Sequence, residues 1–269
     1  MTAEDFIYDG ILLSSFGLMI GYFDGPSDLD GVDTDSQRTF NNFSLFGGKW
    51  QPLSVSTYRD TLRITMSIIR NPCDAETQED MVISLDEIRQ IKRWLNRPEY
   101  HELRLVDPEF DGIFWNGSCN VEEVHAKGKC VGFNLTFDTD RPFALADPVT
   151  YSGSVEAGGH VAIDDISDEI GYIYPDVEIT LRGGGDFSIH NSMDDRTTLI
   201  KNCTSGETIT VSKVLVIESS LASHKIMDDF NWKFLRIGNT YSDRINMLTF
   251  SNACEYKITY NPIVKAVFA

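Results

Sequence analysis

Positive charge is scarce in this chain: 23 lysines and arginines stand against 41 aspartates and glutamates, for a formal net charge of −18. The basic face that a duplex-binding protein needs is therefore missing. The surplus of negative charge keeps a subunit soluble and repels phosphates and anionic lipid. No sequence-specific nucleic-acid binding is expected. Long apolar runs are lacking too. No stretch approaches the ~20 consecutive apolar residues of a spanning helix, so no membrane insertion is expected. The start, Met1-Thr2-Ala3-Glu4-Asp5, is acidic and has neither the basic nor the apolar region of a signal peptide, which predicts folding in a cytoplasm. The five cysteines, Cys73, Cys119, Cys130, Cys203 and Cys254, are odd in number and form no C-x-x-C pair. Neither a disulfide framework nor a zinc site follows from that spacing, and the expected state is reduced thiols.

Catalytic signatures are also missing. Gly183-Gly184-Gly185 lacks the Lys-Ser/Thr pair of a phosphate loop, and Asp186-Phe187 opens a strand pattern rather than a helix, so a turn is the reading. The histidines His101, His125, His160, His190 and His224 are not spaced from one another as metal ligands. Ser223-His224 is mere adjacency, and no G-x-S-x-G is present. Carboxylate neighbours such as Asp164-Asp165 and Asp228-Asp229 arise by chance in so acidic a chain, and a glycosidase needs a fixed spatial separation that a sequence does not display. Between Asp24 and Asp35, Asp28, Asp30 and Asp33 alternate with other residues, but Gly31 comes early and no closing glutamate follows, unlike an EF-hand. That segment reads as a solvated acidic loop, and whether it takes a cation stays open. The chain is accordingly read as a non-enzyme, with no catalytic, cofactor-binding or metal-binding residue assigned and no cofactor.

What is present is strand pattern. The 269 residues suffice for one large domain or two ordinary ones, 42% are hydrophobic and 11% are aromatic, a composition suited to half-buried pleated surfaces. Phe6 and Tyr8 alternate with polar neighbours before the hairpin signal Asp9-Gly10. Leu53, Val55 and Thr57 alternate, as do Leu62, Ile64, Met66 and Ile68, and Val131, Phe133, Leu135 and Phe137 share a face. Turns are expected at Asp111-Gly112, Asn116-Gly117 and Lys127-Gly128. One helix is predicted over Leu85 to Leu95: Ser84 and Glu87 form a capping box, and Ile88, Ile91, Trp94 and Leu95 fall on one face. Small residues, Ser152-Gly153-Ser154 and Gly158-Gly159, place a domain boundary near residue 150. Beyond it, strands are expected at Val177–Leu181, Phe187–Asn191, Thr197–Lys201, Thr208–Val211, Val214–Glu218, Ile245–Phe250 and Glu255–Tyr260. Turns separate them at Gly183–Gly185, Met193–Asp195, Ser205-Gly206, Ile237–Asn239 and Ser251-Asn252, and no helix interrupts them, which indicates an antiparallel sandwich. Phe230, Trp232 and Phe234 alternate; they line an inward strand face or, on the other reading, an exposed platform for sugar.

The order of these elements resembles the distal tail protein (Dit) family of long-tailed, siphovirus-type phages. Phe6-x-Tyr8-Asp9-Gly10 resembles its opening strand and turn, and Ser84 to Leu95 the helix of its ring-forming domain. Gly132-Phe133-Asn134-Leu135-Thr136-Phe137 with Asp140-Arg141-Pro142-Phe143-Ala144 resembles that domain's closing strand and exit. Gly238-Asn239, Asn246 and Glu255–Tyr260 resemble the end of its sandwich domain, although the family often spaces the Gly and Asn by one residue. The resemblance implies a mainly β protein. Residues 1–150 would be a sandwich or barrel-like ring-forming domain with one helix, and 151–269 an antiparallel, galectin-like or carbohydrate-module-like sandwich. It implies a virion tail component assembled in the host cytoplasm. Six copies would form a ring joining the tail tube protein to the tail-associated hub protein, near the end of the tape measure protein, with a receptor-binding protein or host surface glycan as a further partner. Carbohydrate binding by the sandwich is the alternative function. Acidic side chains lining a ring would keep exiting DNA from sticking.

Overall fold

The computed structural model describes residues 4–21, 38–43, 53–58, 61–74, 77 and 79–265. The chain divides into two units, the break falling after Leu145, with Ala146–Val264 as the second.

In the first unit the strands are β1 (Phe6–Tyr8), β2 (Ile11–Leu12), β3 (Leu18–Gly21), β4 (Arg38–Phe43), β5 (Leu53–Tyr58), β6 (Arg63–Arg70), β7 (His101–Leu105), β8 (Ile113–Ala126), β9 (Lys129–Thr139) and β10 (Ala144–Ala146). An antiparallel sheet runs β2-β1-β7-β8-β9-β6-β3, and β4 pairs with β5 apart from it. The Ile20 amide donates to the Glu4 carbonyl at 2.9 Å, so the far strand β3 curls back toward the chain just before β1 without closing a barrel. Two hairpins are set by local chemistry. Asp9 (φ 52°) and Gly10 (φ 74°) join β1 to β2, and Lys127 (φ 51°) and Gly128 (φ 78°) join β8 to β9, each pair in the doubly left-handed turn that matches strand twist.

Helix α1 spans Leu85–Leu95. Ser84 accepts from the Glu87 amide while the Glu87 carboxylate accepts from the Ser84 amide at 2.8 Å, so the predicted capping box is present. Ile88, Ile91, Trp94 and Leu95 are buried. Each such side chain contributes ~1.5–3 kcal/mol on leaving water. Trp94 stacks on Phe16 (4.8 Å between centroids) and Phe6 (5.8 Å), and its indole N–H donates to the Tyr8 carbonyl at 3.0 Å. It is a core anchor.

The second unit holds β11 (Val149–Val155), β12 (His160–Asp164), β13 (Gly171–Ile173), β14 (Asp176–Leu181), β15 (Gly185–Asn191), β16 (Arg196–Cys203), β17 (Thr208–Val211), β18 (Ile217–Ser219), β19 (Ile237–Asn239), β20 (Ile245–Phe250), β21 (Cys254–Tyr260) and β22 (Ile263–Val264). A five-stranded sheet, β11-β21-β14-β17-β18, and a four-stranded sheet, β12-β20-β15-β16, form a sandwich, with β13 and β19 paired separately. Ile179, Ile209, Cys254 and Ile258 from the first sheet share one core with Phe187, Ile189, Leu248 and Phe250 from the second.

Four sequence expectations are corrected. Asn116-Gly117 is not a turn: β8 runs through it, Gly117 pairs with His101 and Thr139, and the Tyr8 hydroxyl donates to its carbonyl at 3.1 Å. Ser152-Gly153-Ser154 is strand β11, where Gly153 lies opposite Tyr256; a Cβ there would sit 3.1 Å from the Tyr256 hydroxyl. Ile237–Asn239 is strand β19 rather than a turn. The second unit is not purely β either, because Ile226–Asp229 forms a one-turn helix, α2.

Candidate functional site

The outward residues of the five-stranded sheet build an open polar trough. Inward Val177, Ile179, Leu181, Ile209, Val211 and Ile217 leave Asp176, Glu178, Thr180, Thr208, Thr210 and Glu218 on the opposite face, as strand alternation requires. Register sets Ser152, Lys257, Glu178, Thr210 and Glu218 side by side across all five strands. Two adjoining depressions of about 420 and 430 Å³ share Glu178 and Lys257. Thr150 and Thr259 hydroxyls meet at 2.9 Å, and those of Thr180 and Thr208 at 3.0 Å. Their lining holds four carboxylates, Asp176, Glu178, Glu218 and Glu255, against Lys257 and Arg182, so the trough disfavours polyanions. At its rim the chain was expected to be strand from Val214. Instead Ser212 to Val216 is a tight turn, with the Leu215 amide donating to the Ser212 carbonyl, Leu215 at φ 64° and Val214 73% exposed.

The aromatic triplet follows neither reading made for it. Phe230 and Phe234 are buried, while Trp232 is 56% exposed at φ 59°, and the segment is not a strand. The three rings still touch, at 4.9–6.5 Å between centroids. A bulky residue in the left-handed region is an outlier that packing must hold in place.

Histidine 224 is the most enclosed of the five. Its Nδ1 lies 2.5 Å from Glu207 Oε1 and its Nε2 3.3 Å from Asp229 Oδ2. Burial opposes its charge, but the hydrogen bond and charge of Glu207 dominate and raise its pKa above the ordinary value. Burial likewise pushes Glu207 up, and His224, Ser219 and the Thr204 amide more than offset it, so its pKa is lowered. The Ser219 hydroxyl donates to Glu207 at 2.5 Å and not to the histidine, so this group holds charge and does not activate a nucleophile. The flagged carboxylate pairs part company. Asp165 is buried, accepting from the Ser167 hydroxyl (2.7 Å) and the Asn239 amide (3.0 Å), whereas Asp164 is exposed. Asp229 serves His224 and Asn202, and Asp228 faces outward. His160 and His190 meet threonine hydroxyls, and His101 lies 3.4 Å from Asp9. The acidic stretch Asp24–Asp35 lies outside the described residues.

The five thiols are free, Cys73 exposed and the others buried. One group passed over in sequence is Glu123, His125 and Cys130, whose donor atoms lie within 4.8 Å of one another. The only trace in sequence is a glutamate two residues before a histidine and a cysteine five after it, and nothing local brings them to one face.

These features are structural: two antiparallel β units, charge-holding polar knots, and broad outward surfaces. They define the class as a β scaffold. The comparisons give the family. Residues 1–141 match the phage tail protein N-terminal domain and residues 143–260 the phage tail C-terminal domain of the DUF6558 family, so the chain belongs to this phage tail protein family and is a component of the virion tail. Among solved structures the chain is similar to the Dit protein (gp 19.1) of phage SPP1, described as a paradigm of the hub adsorption apparatus in phages infecting Gram-positive hosts. The TM-score is 0.66 at 11% identity, over 96% of this chain and 98% of that one, so the fold is Dit-like. No curated protein sequence matches. Among the described residues no helix is long and apolar enough to cross a membrane.

Proposed function

We propose that this tail protein is the distal tail component, forming a homohexameric ring at the tail tip. The observation that carries this reading is the shared fold over nearly the whole of both chains, in a protein whose two halves each match a phage tail domain. On this reading the N-terminal unit makes the ring and continues the tail tube. The tail-associated hub protein joins it on the other side, the tape measure protein ends nearby, and the C-terminal sandwich projects outward. Acidic side chains facing the lumen would repel passing DNA, in keeping with the net charge of −18. Negative-stain electron microscopy of the purified protein, alone and mixed with its tail tube protein, tests the proposal. Six-fold rings, or rings capping tubes, are expected. A monomer that neither closes nor binds tubes at high concentration would overturn it.

A second reading rests on the trough: the row Ser152, Lys257, Glu178, Thr210 and Glu218 offers hydroxyl and charged groups suited to a neutral host saccharide. It ranks second because the trough's lining has one aromatic ring, that of half-buried Tyr256, and no exposed stacking platform. Calorimetric titration with neutral and anionic cell-wall polysaccharides separates the readings. Heat with neutral chains that Lys257→Ala abolishes would support it, and a flat response to both would sink it.

A further inference from the structure

We propose that Glu123, His125 and Cys130 form a zinc(II) site at the end of the β8–β9 hairpin. The donors are a carboxylate oxygen, an imidazole nitrogen and a sulfur, the mixture that selects zinc over calcium or magnesium, which prefer oxygen alone.

Two observations carry the assignment. The first is the distance: the three donor atoms lie within 4.8 Å of one another, and Glu123 Oε2 is 2.7 Å from His125 Nε2. Tetrahedral zinc, with bonds of ~2.0–2.3 Å, needs donors ~3.3–3.6 Å apart. A small turn of His125 away from Glu123 and a small approach of Cys130 reach it, and the half-exposed His125 side chain has room for that turn.

The second is the backbone. The pairing runs Glu123 with Phe133 and Val124 with Gly132, then skips Val131 so that His125 faces Cys130. Without that one-residue bulge, His125 would face Val131, and Cys130 would sit on the other face of the sheet, because side chains alternate. Bulges of this kind re-aim side chains beside functional sites. Here the bulge delivers the sulfur to the face on which Glu123 already meets α1, through a 2.5 Å contact between Lys92 Nζ and Oε1.

The other carboxylate oxygen, Oε2, is the one turned toward the histidine and toward the metal position. Lys92 thus orients Glu123 without occupying the site. Burial and the nearby Glu123 carboxylate push the Cys130 thiol above its ordinary pKa, so in the metal-free protein it stays protonated. Binding releases that proton to water and leaves a thiolate, a carboxylate and a neutral imidazole around the ion. The two negative charges of the ligand set then balance the 2+ ion, with a fourth position for water.

The test uses the full-length protein with Cys73→Ser, which removes the exposed thiol. Cobalt(II) serves as the coloured probe. Titration is expected to produce the near-ultraviolet thiolate-to-cobalt band and tetrahedral d–d absorption, both displaced by zinc. His125→Ala, at a half-exposed side chain, should weaken cobalt binding by at least ~10-fold, since even outer-shell partners of metal ligands cost that much. Cys130→Ser should abolish the thiolate band. No band at millimolar cobalt would overturn the proposal, as would a band that survives either substitution unchanged.

Discussion

At the scale of single residues, the second unit is organised by one buried amide. Asn246 is fully buried, and its side chain copies a peptide group: Oδ1 accepts from the Gly238 amide at 3.0 Å while Nδ2 donates to the Gly238 carbonyl at 2.8 Å. The same Oδ1 accepts from Asn191 at 2.9 Å. Gly238 must be glycine, because a Cβ there would lie 2.9 Å from the Gly171 carbonyl and collide with the Tyr172 ring. Each buried group left without its partner costs ~1–3 kcal/mol. Asn246→Ala strands both polar groups of Gly238, so chemical denaturation should register a loss of about 2–4 kcal/mol, whereas a change under 1 kcal/mol would show the knot to be incidental. These residues were visible in the sequence as Gly238-Asn239 and Asn246, singled out by resemblance, with Ile237–Asn239 read as a turn and no contact between them read. The pairing across eight residues is tertiary, and no local pattern encodes it. The zinc candidate has the same character: Glu123, His125 and Cys130 acquire meaning only through a bulge that depends on register.

At the scale of elements, what was legible is what is local. The helix Leu85–Leu95 appears with its capping box because cap, periodicity and stop all lie within one short stretch. Asp9-Gly10 and Lys127-Gly128 make hairpins because glycine takes positive φ without steric cost at the second turn position, and Asp9 tolerates it at the first. Asn116-Gly117 carries the same signal and is overruled, since strands on both sides and the Tyr8 hydroxyl claim its backbone. Strand β11 was missed because Ser152, Gly153 and Ser154 have little strand propensity; its partner β21 supplies the order. The α1 cap can be tested directly. Burial pushes the Glu87 carboxyl up, yet hydrogen bonds from Arg70 and Ser84 outweigh it and hold the pKa at about 2. A depressed folded pKa stabilises above the unfolded value and loses that contribution as pH falls. Ser84→Ala should therefore cost about 1 kcal/mol at neutral pH, and part of that difference should vanish between pH 4.5 and about 2 in paired urea melts.

The His224 contact between α2 and the β16–β17 turn has the opposite sign. Its folded pKa is raised, so its stabilisation is complete below pH 6.5 and is lost as pH rises through the folded value. Glu207 guards the other limb, losing its contribution as pH falls below 4.5. Thermal melts should thus show the second unit weakening above pH 6.5, and His224→Gln should flatten that alkaline limb. It should also cost about 3 kcal/mol at pH 6, because Glu207 is left buried with no cation. An alkaline limb of unchanged slope in the variant would place the titration elsewhere.

At the scale of the whole molecule, charge sets the terms of assembly. Each subunit carries a formal −18, so bringing six together in the proposed ring would oppose strong repulsion that acts over a Debye length. That length is ~30 Å in 10 mM salt and ~8 Å at 150 mM. A ring held by apolar and hydrogen-bonded contacts should therefore assemble more readily as salt rises, whereas a ring held by ion pairs would dissociate. Arginines and lysines of the first unit pair within the subunit: Arg63 with Asp138, Arg70 with Glu87, Lys92 with Glu123, Arg97 with Asp9, Arg104 with Glu102 and Arg141 with Asp140. Cations engaged within the subunit are less available to bridge copies, which favours the salt-promoted outcome. Sedimentation velocity from 10 to 500 mM sodium chloride is the measurement. Oligomer should grow with salt, and oligomer that is strongest at low salt would mean that intersubunit ion pairs, not screened repulsion, govern self-association.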